Sequence, residues 1–277
     1  MSGGIQRLYP GGATLPLEGA YLGHLPETGR PCFYANFVSS LDGRIALTAP
    51  HRRTHQVPPA IANARDWRLY QELGAQADVL ITSGRYFRQF AEGEAQDTLP
   101  VGDAERFADL HDWRHRQGLA PQPDIAVLSA SLELPEQALR FYLERGRRIH
   151  LFTGEDAPAE RIGDLERLGV EVHFAGTGHM AEGEATARHL ERLGYRRIYL
   201  IAGPFVLYTF IRAGVLDRLY LTLAHRILAG EDFDTFCFGP ELVPPPNLRL
   251  VSLLLDPEAP AGAGQLLAAY DLEYPGP

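Results

Sequence analysis

Residues 197–223 read RIYLIAGPFVLYTFIRAGVLDRLYLTL. An apolar run of strand length (197–201) leads into Ala202-Gly203-Pro204, then a helical pattern over 205–213 and a second apolar run at 218–223. Proline in the first turn of a helix sacrifices nothing, because that N–H has no intrahelical partner. Strand, helix, strand in so short a span is a βαβ unit, whose strands lie parallel and are covered on both faces. The alternation extends upstream. Strands are expected at 33–39, 78–82, 124–128, 148–152 and 170–174. Helices are expected at 60–74, 103–117, 135–145, 158–168 and 181–193. Downstream the character changes, and 247–255 and 265–273 read as two strands joined by a Pro/Gly turn over 256–264. The expected fold is α/β, a mixed and mostly parallel sheet with helices on both faces and a C-terminal β-hairpin. Residues 1–30 hold paired glycines and several prolines among few apolar side chains, and read as an N-terminal extended arm. Residues 31–277 then form one domain.

Composition narrows the chemistry. The 277 residues include 26 basic ones, and every one is Arg. Without Lys there is no Schiff-base lysine and no P-loop lysine. A formal charge of −9 argues against nucleic acid as a partner. The two cysteines, Cys32 and Cys237, cannot build a zinc knuckle or a disulfide framework. No signal-peptide pattern opens the sequence and no apolar run is long enough for a bilayer, so a cytoplasmic protein away from membranes is expected.

Candidate sites cluster after the strands. Ser39-Ser40-Leu41-Asp42-Gly43-Arg44 ends the first strand, where Asp-Gly is either a turn or an acid facing a ligand crevice. Thr82-Ser83-Gly84-Arg85 follows the second strand, and Gly203-Pro204-Phe205 follows the strand at 197–201. Either can be a tight turn. Together at one sheet edge, their N–H groups and hydroxyls suit a nucleotide phosphate. Arg52 and Arg53 form a basic pair in the loop after Asp42, able to clamp an anion or simply solvated. Gly176 to Ala181 matches G-x-G-x-x-A, but the next strand ends without the acid that binds ribose, so this stretch reads as a flexible loop. His111 and His115 have zinc-capable spacing on a polar helix, yet lack a third ligand. No metal site is expected.

Three blocks, YANFVSSLDGRIA (34–46), ADVLITS (77–83) and YLIAGPFVLYTFIRAGVLDRLYLTLAHRILAG (199–230), resemble the reductase domain of the bifunctional riboflavin-biosynthesis deaminase/reductase. That domain belongs to the dihydrofolate-reductase-like superfamily, and the resemblance covers about residues 31–275. It implies a homodimeric enzyme in which NADPH reduces the ribosylamino side chain of a phosphorylated pyrimidine. By that likeness Asp42 is the catalytic acid or holds the sugar; Asn36, Ser39 and the basic pair Arg52 and Arg53 are the candidates for binding the small-molecule substrate. Thr82, Ser83, Gly84 and Arg85 lie at NADP(H), and Gly203, Pro204 and Phe205 form its phosphate loop. Arg85, Ser129 and Thr153, at or past strand ends, are candidates for the 2′-phosphate. The chain also departs from the pattern. The family's Glu-Gly-Gly-Pro reads Ile201-Ala202-Gly203-Pro204, and its Gly-x-Gly-Thr-Val loop reads Ser83 to Phe87. These departures motivate an alternative, a non-catalytic nucleotide-binding relative of the same fold.

Overall fold

The computed structural model describes residues 3–26, 29–48, 55–95 and 99–275, and its apolar runs form the middle of an eleven-stranded sheet. The chain begins with β1 (Ile5–Tyr9), β2 (Ala13–Leu15), β3 (Cys32–Ser40), β4 (Ala46–Thr48) and β5 (His55–Gln56). Alternation then follows through α1 (Ala64–Gln76), β6 (Val79–Ser83), α2 (Gly84–Ala91), α3 (Ala108–Arg116), β7 (Asp124–Leu128) and α4 (Glu136–Leu143). It continues through β8 (Ile149–Thr153), α5 (Ala159–Arg167), β9 (Glu171–Phe174), α6 (Gly183–Arg192), β10 (Arg197–Leu200), α7 (Pro204–Arg212) and β11 (Arg218–Ala224). The last elements are β12 (Phe233–Asp234), β13 (Asn247–Asp256) and β14 (Gln265–Glu273).

Across the large sheet the order is β2-β1-β13-β14-β11-β3-β10-β6-β7-β8-β9. From β11 to β9 every pairing is parallel, while β14, β13, β1 and β2 are antiparallel. The mixed sheet, the helices on both faces and the C-terminal hairpin are those expected from the sequence. The pleat explains the layers, because successive side chains point to opposite faces. Leu80, Ile125, Val127, Leu151 and Tyr199 pack with Leu69, Leu73, Phe87, Leu139 and Leu165 of α1, α2, α4 and α5. Val79, Ile81, Ala126, Phe152, Ile198 and Leu200 pack with Leu190 of α6 and Val206, Leu207, Phe210 and Ile211 of α7. Each covered strand is therefore apolar at consecutive positions.

Two features differ from the expectation. The stretch 82–85, read as a phosphate-holding or tight turn, instead runs from the end of β6 straight into helix α2, which the sequence reading did not include. The first residues are also more regular than an arm, since β1 pairs with β13 and β2 extends that edge. The following turn docks on α1 through a buried carboxylate. Glu72 accepts from the N–H groups of Gly19 (2.6 Å) and Tyr21 (2.9 Å) and from Arg68 Nε (2.9 Å). Gln76 completes the seam, accepting from Gly23 N and donating to the Tyr21 carbonyl. A buried charge persists only when so satisfied. Among the described residues no helix is long and apolar enough to cross a membrane.

Candidate active site

In the sequence β3 precedes β6, but in the sheet β10 lies between them. The crossovers therefore diverge where these three strands end, the switch point at which open α/β sheets leave a crevice. A cleft of about 690 Å³ opens there, within the usual range for small-molecule sites. Thr82 and Ser83 end β6, Ile201 and Ala202 follow β10, Asn36 comes from the middle of β3, and Gly203 and Pro204 from the start of α7. Helix α1 supplies Asn63, Asp66, Trp67 and Tyr70, and α2 supplies Arg85, Tyr86 and Gln89.

Local chemistry sets the α1 wall. The Asn63 side chain caps α1, accepting from Arg65 N (3.1 Å) and Asp66 N (2.9 Å). Such a cap satisfies N–H groups that the helix cannot. It fixes the first turn, where Asp66 faces β11 and takes a 2.6 Å hydrogen bond from Thr222 Oγ1. Burial pushes the Asp66 carboxyl up to about 6, although the Thr222 bond pulls the other way. Its second oxygen has no partner among the described residues. Asn36 Nδ2 is buried and equally unpartnered. Next to Asp66 and a turn further along α1, Trp67 and Tyr70 stack at 4.6 Å and 24°, a flat apolar surface on the cleft wall. Asp66, Asn63, Trp67 and Tyr70 were not found by reading the sequence. An acid in the first turn of a helix is ordinarily a dipole partner, and only Thr222 opposite it signals more.

The expected site residues divide into groups. Asn36, Thr82, Ser83, Arg85, Gly203 and Pro204 line the cleft together. Phe205 is solvent-exposed and outside it. Gly84 is buried, and a Cβ there would press on Ser129 Oγ at 3.0 Å, so its small size serves helix–loop packing. Ser129 Oγ accepts from Leu132 N, and Thr153 is fully buried; both lie further along the sheet edge, away from the cleft lining. Ser39 is buried with its hydroxyl on the Ser40 carbonyl. Arg52 and Arg53 lie outside the described residues.

Asp42 is the clearest revision. A proton donor there would need a raised pKa, and the opposite is found. Ser40 Oγ donates to Asp42 at 2.6 Å, and the N–H groups of Ala229 (2.8 Å) and Leu228 (3.2 Å) add to it. These bonds, Ser40 first, hold the carboxyl down at about 2. Asp42 also lies outside the cleft lining. It ties the turn after β3 to the turn after β11. The stretch 176–180 is likewise fastened, since Glu155 N and Asp156 N donate to the carbonyls of Gly176 and Gly178. His111 Nε2 meets the Gly102 carbonyl at 3.0 Å.

A second sheet, β12-β4-β5, borders the cleft through Ala46, His55 and Asp234. His55 bridges Asp234 (2.9 Å) and Asp232 (3.0 Å). Burial alone would lower its pKa, but the two carboxylates outweigh it and the pKa is raised. A histidine of this kind adds stability below its unfolded value and loses it as pH rises through the folded one. Protection factors in β4, β5 and β12, corrected for intrinsic exchange, should therefore fall above neutral pH. In His55→Ala protein they should be low throughout, and wild-type protection factors that do not change with pH would refute the clasp.

Residues 31–258 match the RibD C-terminal domain family. The chain belongs to that family. Membership places it among RibD-type reductases, which are oxidoreductases. Among solved structures it is similar to a pyrimidine reductase-like protein from Corynebacterium diphtheriae, at 20% identity and TM-score 0.68, covering 94% of this chain and 99% of that one. It is also similar to Acinetobacter baumannii RibD, at 16% identity and TM-score 0.59, covering 88% of this chain. The chain spans only 58% of that RibD. Saccharomyces cerevisiae riboflavin biosynthesis reductase Rib7 shares 11% identity at TM-score 0.54, covering 91% and 95% of the two chains. At these identities the likeness is one of fold. No curated protein sequence matches the chain.

Proposed function

We propose that this chain is an NADPH-dependent reductase of a small heterocycle, of the phosphorylated ribosylamino-pyrimidine kind, with Asp66 as its acid. The observation that carries this reading is the pairing of groups in one cleft. A buried carboxyl with one unpartnered oxygen lines one wall, and the start of α7 lines another. The first N–H groups of a helix have no internal partners, and the helix dipole favours an anion beside them. Gly203 and Pro204 begin α7 at the cleft, and Ser83 stands at the start of α2 with no side-chain cap bond. The unpartnered Asn36 Nδ2 adds a donor in the same cleft. These groups fit a dinucleotide laid across the strand ends.

NADPH bound there would supply the hydride. The chain's own work is positioning and one proton. Asn63 and Thr222 hold Asp66 in place, and the raised pKa keeps its carboxyl partly protonated near neutrality, so that Asp66 can donate to a ring nitrogen or oxygen. The Trp67–Tyr70 stack offers a face for a flat ring. Arg85 lines the cleft and makes no ion pair among the described residues, which suits it to the 2′-phosphate. Arg85→Ala should raise the KM for NADPH about tenfold or more while leaving NADH almost unaffected. Equal losses for both cofactors would remove Arg85 from that role.

A homodimer in the cytoplasm completes the reading. The exposed apolar side chains Ile227, Phe238 and Val243 between β11 and β13 support an association surface. The function is tested by following NADPH oxidation with phosphorylated ribosylamino-pyrimidines and pterins. Turnover with either class supports a reductase. Tight NADPH binding with no turnover on any of them favours the non-catalytic alternative.

A further inference from the structure

At the β9 edge of the sheet, apart from the cleft, β8 and β9 pair in parallel with His150 beside Glu171 and Phe152 beside His173. Alternation along each strand puts His150, Glu171 and His173 on one face. His150 Nδ1 lies 3.1 Å from His173 Nε2 and 3.4 Å from Glu171 Oε2. All three donor atoms fall within 4.8 Å of one another. In a tetrahedral zinc site with bonds of about 2.0–2.1 Å, donor atoms stand roughly 3.3 Å apart. The two shorter separations are already of that size.

The tautomer of His150 can be read from its other nitrogen. Tyr195 Oη donates its single proton to Asp124 Oδ2 at 2.7 Å, because a carboxylate only accepts. Arg148 also donates to Tyr195 Oη. His150 Nε2, at 2.7 Å from the same oxygen, must therefore be the donor. That leaves a lone pair on Nδ1, pointing at His173 and Glu171. A buried N–H held by a second layer of groups, with the opposite nitrogen bare, is how metal-binding imidazoles are oriented. His150 is fully buried, His173 half-buried and Glu171 exposed, so the donor set opens to solvent on one side. Asp124 and Glu171 against Arg148 leave the cluster with net negative charge. Burial also lowers the pKa of both His150 and His173, which keeps the imidazoles neutral and available.

We propose that His150, Glu171 and His173 form a binding site for a divalent zinc-class ion, with water as the remaining ligand, pinning the edge strand β9 to β8. Imidazole and carboxylate together suit zinc, and cobalt serves as its spectroscopic substitute. This site is independent of the reductase reading, since it shares no residue with the cleft.

The test uses the full chain, stripped with a chelator and then titrated with Zn²⁺ or Co²⁺ alone. About one equivalent of Zn²⁺ should survive gel filtration, with micromolar or tighter affinity and a melting temperature several degrees higher. Co²⁺ should give the intense visible bands of a four-coordinate ion. His173→Gln and Glu171→Gln, both at the solvent side of the edge strand, should weaken binding at least about tenfold. Tyr195→Phe removes no ligand, yet should weaken it through loss of the His150 orientation. The proposal is overturned if wild-type protein retains no zinc, or if binding persists at full strength in both ligand variants.

Discussion

Asp66→Asn protein is expected to lose about 10²–10⁴-fold in kcat/KM while still binding NADPH. Asn keeps the acceptor for Thr222 Oγ1 and the shape of the wall, but has no proton to give. The wild-type pH profile should follow the same group, with kcat/KM falling as pH rises through about 6, where the carboxyl ionises. The variant should show no such fall. Stability should move the other way. A carboxyl whose folded pKa is raised favours the fold at low pH, fully so below its unfolded value of 3.8, and that advantage is lost as pH rises through about 6. Above that point the native state holds a buried charge. At pH near 8, Asp66→Asn should therefore be more stable than wild type by about 2–3 kcal/mol, at roughly 1.4 kcal/mol for each pKa unit of the shift. At low pH the two should converge. Denaturant titrations at both pH values check this. Activity within a few-fold of wild type would remove Asp66 from the chemistry, whatever the stability result.

Arg114→Leu is expected to produce the largest loss of stability. The Arg114 side chain is almost completely buried on α3. It donates to the carbonyls of Ala75 (2.9 Å) and Ala77 (2.8 Å) at the end of α1 and to Ala120 (2.9 Å) beyond α3. Burial lowers its pKa to about 10, so the guanidinium stays charged at neutral pH. Leucine fills much of the volume but leaves three carbonyls without their donor. Each orphaned buried acceptor costs about 1–3 kcal/mol, less what water recovers. A net loss of about 3–5 kcal/mol would lower the melting temperature by roughly 10 °C. A shift of only a degree or two would show that water replaces the guanidinium. NADPH binding in the surviving folded fraction should change little, because Arg114 lies outside the cleft lining.

The sequence made the parallel series legible because covered strands are short apolar runs set off by Gly and Pro. The strands at 124–128 and 265–273 have the bounds read from the sequence. Helix α2 was missed because Ser-Gly-Arg after a strand is also a turn signal, and only packing against Ser129 and Leu134 shows why Gly84 begins a helix. Thr82, at the end of β6, and Gly203, just past β10, could be expected at one crevice for the same reason as the strands, and both line the cleft. Acids were not. Asp42 and Asp66 look alike in a linear reading, and what separates them lies far along the chain. Asp42 is bound by the N–H of Leu228, 186 residues away, and Asp66 by Thr222, 156 residues away. The first contact lowers a pKa at an exposed turn; the second sits in a cleft where burial raises one. The His150 cluster was hidden in the same way, since its members fall on separate strands.

The most direct test of the account is an equilibrium titration with NADPH, read from Trp67 fluorescence in Trp113→Phe protein. Trp67 lines the cleft and Trp113 lies outside it, and the chain has no other tryptophan. The account predicts saturable quenching with a dissociation constant in the micromolar range, weakened in Arg85→Ala and preserved in Asp66→Asn. No saturable quenching up to millimolar NADPH would contradict it.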